Sequence, residues 1–203
     1  MKILNRNKSP YIYCVLILTL LSVVDIQAQT NFSVRSVTAS VNGTSSFHDW
    51  ESEITKIEFK GSLKTSGNTL TSIKDVEIKI PVEGIKSKEG KIMDRKTFEA
   101  FESDKNPYII YTLSNAQVKI DGNQTVTIEA SGKLTMAGTT RTISLLSKGK
   151  VLPNGDVHLS ISKHLKMTDF KMTPPTAVLG TIKVGDEISV NFDMILMHTD
   201  VNN

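Results

Sequence analysis

The sequence predicts an all-β fold of antiparallel strands, and three observations carry that prediction. Apolar residues alternate with polar ones over most of the chain, turn dipeptides separate the alternating runs, and only one segment has helical spacing.

In chain order the first element is a leader. Lys2, Arg6 and Lys8 precede an apolar run over residues 11–24, and Ile26-Gln27-Ala28 then offers a small residue at a cleavage site. That order predicts a secretory signal peptide over residues 1–28, removed from a periplasmic or secreted protein. The run is short of the roughly 20 apolar residues a spanning helix needs, and nothing after it predicts stable membrane insertion. Cys14, the sole cysteine, lies inside the leader, so residues 29–203 form one domain held by burial and not by disulfides. Residues 1–28 carry Lys2, Arg6, Lys8 and Asp25, so their loss takes the formal charge from +3 to +1. No basic excess is left to attract nucleic acid.

The strands follow. Residues 32–42 and 54–64 are weakly patterned. Val76, Ile78, Ile80 and Val82 then alternate with Glu77, Lys79 and Pro81. After another weak strand over 108–113, Val126, Ile128, Ala130, Gly132, Leu134 and Met136 form the longest series. Residues 139–151 are again weak. Val157, Leu159, Ile161, Leu165 and Met167 form a series in which Lys163 interrupts the apolar side, and Ile188, Val190, Phe192, Met194 and Leu196 form the last. Each alternation turns one face of a strand inward and the other to water. Asp121-Gly122 and Asn154-Gly155 supply hairpin turns, which make their flanking strands antiparallel neighbours. Some eight or nine such strands leave a barrel or a sandwich. The exception to period two is residues 95–102, a short helix capped by Asp94, with Phe98 and Phe101 on one face and Asn106-Pro107 at its exit. It is expected to cover one end of a barrel.

No catalytic, cofactor-binding or metal-ligating constellation is legible. There is no G-x-S-x-G elbow and no H-E-x-x-H, and His48, His158, His164 and His198 are scattered. His158 and His164 lie six residues apart on one strand, too far apart to share a metal. In His48-Asp49-Trp50 the adjacent acid and imidazole point to opposite sides of an extended chain, which favours a structural cluster at a strand end.

Several segments resemble those of a known family. Gly43-Thr44-Ser45-Ser46-Phe47-His48-Asp49-Trp50, Lys86-Ser87 with Met93-Asp94, Asn106-Pro107-Tyr108-Ile109-Ile110-Tyr111, Gly132-Lys133-Leu134-Thr135-Met136-Ala137-Gly138-Thr139-Thr140, and Met167-Thr168-Asp169-Phe170 with Pro174-Pro175 and Gly180-Thr181-Ile182-Lys183-Val184-Gly185-Asp186 occur in the order seen in the YceI-like, polyisoprenoid-binding family. The resemblance implies an extended, lipocalin-like antiparallel barrel. Its lumen would hold an isoprenoid lipid, a polyprenyl chain or a quinone tail, without catalysis and without a cofactor. The alternation then assigns the lining to Val76, Ile78, Ile80, Val126, Ile128, Val157, Leu159, Ile161, Met167, Val190, Phe192 and Met194, with Phe98 and Phe101 closing the mouth. A homodimer stays open. So do a structural or adhesive β-module with a packed core and an enzyme acting on an envelope lipid.

Overall fold

A computed structural model describes residues 30–122 and 124–199 of the chain; the expected leader over 1–28 lies outside the described residues. The strands are β1 (Thr30–Ser45), β2 (Trp50–Ile54), β3 (Glu58–Ser66), β4 (Thr69–Pro81), β5 (Ile85–Ser87), β6 (Tyr108–Gly122), β7 (Thr125–Met136), β8 (Thr139–Val151), β9 (Val157–Lys166), β10 (Thr176–Ala177) and β11 (Ile182–His198). One α-helix, α1 (Lys91–Phe101), lies between β5 and β6. Eight strands close a barrel in the order β1–β3–β4–β6–β7–β8–β9–β11, and β11 returns antiparallel to β1 from Phe32↔His198 to Ser45↔Val184. Closure removes the free sheet edges that a sandwich would leave. β2 and β5 extend the wall beside β1, and β10 pairs with β11.

The alternating series face inward as the pattern predicts. Along β7, Val126, Ile128, Gly132, Leu134 and Met136 are buried. Two bulges adjust the weaker strands. The register of β1 slips between Val34 and Ser36, so the inward face passes from Phe32 and Val34 to Val37, Ala39 and Val41. The register of β4 against β3 slips opposite Gly61, near Asp75 (φ 54°), and brings Ile73 back to the core after Val76. An extra residue on one strand exchanges its two faces, which blurs period two in the sequence.

The barrel has two unlike halves. At the end carrying the β3–β4, β6–β7 and β8–β9 turns, Leu63, Leu70, Val126, Val157, Met194 and Leu196 are almost fully enclosed. Gly149 faces this core, and a Cβ there would lie 3.0–3.3 Å from Val126, Ile128 and Leu159, so the space is filled. The same end is tied from outside. Arg35, at the β1 bulge, reaches the buried Asp156 carboxylate at 2.6 and 3.3 Å, and Asn154 donates a 2.8 Å hydrogen bond to the same group.

The helix departs from expectation at its start. It begins at Lys91, not Arg95, with Gly90 at the N-cap position and no side-chain cap. Asp94 sits inside the first turn, where its carboxylate accepts the Ser87 backbone N–H at 2.6 Å and lies 3.9 Å from the Lys86 ammonium. It locks helix to β5 instead of capping the helix. The chain leaves the helix through Glu102, in the left-handed region.

Candidate functional site

The half of the barrel beneath α1 is not filled. It encloses an apolar cavity of about 160 Å³. Its walls are inward residues of β1, β2, β4, β5, β6, β7, β8, β9 and β11, and its roof is one stripe of the helix, Met93, Lys96, Thr97, Ala100 and Phe101. Those positions follow the i, i+3, i+4, i+7 spacing of a single helical face. A void of this size with apolar walls stays dry and takes up an apolar guest, because a water molecule inside it finds too few partners. Met93, Met136, Met167 and Met172 all line it, and thioether side chains adapt to irregular guests.

Seven of the residues expected to line a lumen do border this cavity: Ile78, Ile80, Phe101, Ile161, Met167, Val190 and Phe192. The other seven do not. Val76, Val126, Ile128, Val157, Leu159 and Met194 face inward but belong to the packed half, where side chains from opposite walls meet. The expected lining is corrected to a cavity in one half of the barrel, with these six residues packed in the other half. Phe98 is corrected for a different reason. It lies at the edge of the roof stripe, about 60° around the helix from Phe101, and packs on the flank with the Lys86 ammonium 5.0 Å from its ring centre.

Sequence reading missed Ile109, Tyr111, Ile143, Leu145 and the Val41–Trp50 wall. In β8 the signal was hidden by two adjacent leucines, of which Leu145 turns in and Leu146 is 59% exposed. Trp50 could have been found from its neighbour Gly43: a Cβ there would fall 2.5 Å from the indole, so the glycine makes room for the ring. The indole N–H donates to the Thr44 carbonyl at 3.0 Å. His48 Nδ1 contacts the Asp49 backbone carbonyl at 2.6 Å, not a carboxylate, and the Ser45 hydroxyl accepts the Phe47 and His48 N–H groups. His48-Asp49-Trp50 is thus a hydrogen-bonded turn at the rim. Among the described residues no group of three or more His, Cys, Asp or Glu side chains is placed to hold a metal, and no helix is long and apolar enough to cross a membrane.

The polar groups in the cavity wall are few: Ser52, Ser87, Lys96, Thr97, Lys163 and the Tyr111 phenol. Lys96 pairs with Glu99 at 2.9 Å. Among the described residues the buried Tyr111 hydroxyl has no hydrogen-bond partner, and burial pushes its pKa above the ordinary phenol value. A buried donor left unpaired costs about 1–3 kcal/mol. Tyr111→Phe is therefore expected to raise unfolding stability by about 1 kcal/mol in urea titrations, while a loss of stability would mean that the hydroxyl has a partner.

The family model for the YceI-like domain matches residues 23–196. No curated protein is significantly similar to the chain in sequence. Among solved structures, Burkholderia cenocepacia BcnA superposes with a TM-score of 0.59 at 14% identity, over 78% of this chain and 95% of that one. A polyisoprenoid binding domain from Saccharophagus degradans, implicated in plant cell wall breakdown, gives 0.59 at 9% identity, over 85% and 100%. The Campylobacter jejuni YCEI protein gives 0.51 at 18% identity, over 72% and 85%. At these identities the structures establish a shared barrel fold, and with the match across most of its length the chain belongs to the YceI-like domain family.

Proposed function

We propose that this protein is a non-catalytic binder of isoprenoid lipids, exported to the periplasm, with the lipid chain held in the cavity under α1. The observation that carries the reading is the cavity itself, apolar on nearly every wall and placed in a fold shared with a polyisoprenoid binding domain. Branched prenyl units would gain roughly 25 cal/mol for each Å² removed from water, offset in part by ordering of the chain. Few hydrogen-bonding groups line the walls, so cavity shape would select the ligand. At about 160 Å³ the cavity holds only part of a long chain as it stands. A longer guest is accommodated by repacking the four methionines and lifting α1, whose firmest attachments are to β5 and the 3-10 turn Val82–Gly84.

Native mass spectrometry of the protein from its own host, with titration of the delipidated protein by geranylgeraniol, tests the reading. Expected are a co-purifying prenyl lipid and saturable binding in the micromolar range or tighter. Absence of both overturns it. Export is tested in the same preparation, whose mature mass should begin at Gln29.

A further inference from the structure

The ladders of the barrel wall are interrupted at several places, and one interruption, between β8 and β9, borders the cavity. β8 and β9 pair only from Ser147↔Ile161 to Val151↔Val157, although β8 starts at Thr139 and β9 runs to Lys166. Their other neighbours hold them along their lengths: β7 pairs with β8 from Thr125↔Lys150 to Met136↔Thr139, and β11 pairs with β9 from Glu187↔Lys166 to Leu196↔Val157. Residues 142–146 and 162–166 therefore face each other without a ladder. Beyond them the Arg141 Nε–H donates to the Asp169 carbonyl at 2.8 Å and closes the far end. The result is a side opening in the wall of the cavity half.

Lys163 stands in that opening. It occupies an inward position between Ile161 and Leu165, where period two calls for an apolar side chain, and continuing the β8–β9 register would set it opposite Leu145. It borders both the internal cavity and an outer groove lined by Ser144, Leu146 and His164. Among the described residues its ammonium has no carboxylate partner. Glu129, which also borders the groove, is taken by Lys119 at 2.6 Å. In a fully laddered wall an inward lysine would be an unpaired charge in an apolar core, which is costly. The opening lets the aliphatic stem lie along the cavity while the ammonium reaches its mouth.

We propose that the β8–β9 opening is a head-group site for an anionic amphiphile, the apolar tail lying in the cavity and a carboxylate or phosphate head paired with Lys163. The inference rests on the lipid-binding reading above and adds the chemistry of the head. A charge-assisted contact at a partly desolvated site is worth about tenfold in affinity.

The test compares geranylgeranyl phosphate, geranylgeraniol and inorganic phosphate on delipidated protein. Wild type is expected to bind the phosphate ester about tenfold tighter than the alcohol, with the preference shrinking at high salt and no saturable binding of inorganic phosphate. Lys163→Met should bring the ratio of the two affinities to about one, and Lys163→Arg should keep it. Equal affinities in wild type, or a preference unchanged in Lys163→Met, would overturn the head-group site while leaving lipid binding intact. Saturation by inorganic phosphate alone would overturn it in favour of a free-anion site. If neither prenyl probe binds wild type, both readings fall together.

Discussion

Ile128→Asp is expected to abolish folding, whereas Phe192→Asp is expected to leave a folded barrel that no longer takes up an apolar ligand. Both residues belong to inward-facing series, and the sequence treats them alike. Ile128 lies in the packed half, about 2% exposed, facing Gly149 across a gap with no room for water. Removing its side chain costs about 2–5 kcal/mol, and an unpaired carboxylate in its place adds several more. The sum is comparable to the whole stability of a typical domain, about 5–15 kcal/mol. Phe192 borders the cavity and is only half-buried, so water entering the void can hydrate an aspartate there. Far-UV circular dichroism and urea unfolding separate the two cases. Equal loss of structure in both variants would mean that the two halves of the barrel are not different environments.

That division marks where the sequence ceased to be informative. The inward face of β7 was readable residue by residue, because Val126 to Met136 run without a bulge and each partner strand is antiparallel. Whether the enclosed space is filled was not readable. Val126 and Met136 obey one period, yet one plugs the barrel and the other borders a void, since periodicity reports side and not depth. The helix roof was obscured because Lys96 and Thr97 take part in it, while the aromatic Phe98 does not. The seam between β8 and β9 left a single trace in the sequence, the lysine that interrupts an otherwise apolar series.

The segments that resemble the family both line the cavity and fasten its rim. Asp186 accepts the Thr168 backbone N–H at 2.8 Å and its hydroxyl at 2.6 Å, joining the start of β11 to the 3-10 turn Met167–Phe170; the Thr168 hydroxyl bond, ahead of the backbone one, holds its carboxyl below the ordinary range. A Cβ on Gly185 would fall 2.5 Å from the Thr44 hydroxyl, so the first and last of these segments meet at one rim. Asp94 ties the helix to Ser87. A void lacks the internal contacts that stabilise a packed core. In this barrel hydrogen bonds and close glycine contacts at the rim of the hollow half supply part of what packing supplies in the filled half.

Gly132→Val tests the innermost of these close contacts and is expected to cost about 3 kcal/mol or more and to block the cavity. Gly132 sits in a strand, where a β-branched residue would ordinarily be favoured. Its ideal Cβ, however, would fall 2.5 Å from both Tyr111 Cζ and Oη and 2.6 Å from the Thr112 carbonyl oxygen. The carbonyl cannot retreat without disturbing the β6–β7 ladder, where Thr112 pairs with Lys133 and Leu113 with Gly132. The ring can move, and the space open to it is the cavity it borders. Ligand affinity should then fall together with stability. Tyr111→Leu in the same chain separates the two collisions, because it removes the ring and leaves the carbonyl. If the ring is the main obstacle, Gly132→Val will cost substantially less in the Tyr111→Leu background, and ligand uptake will partly return. Strict additivity would place the obstacle in the backbone and would mean that Tyr111 does not need the glycine to lie where it does.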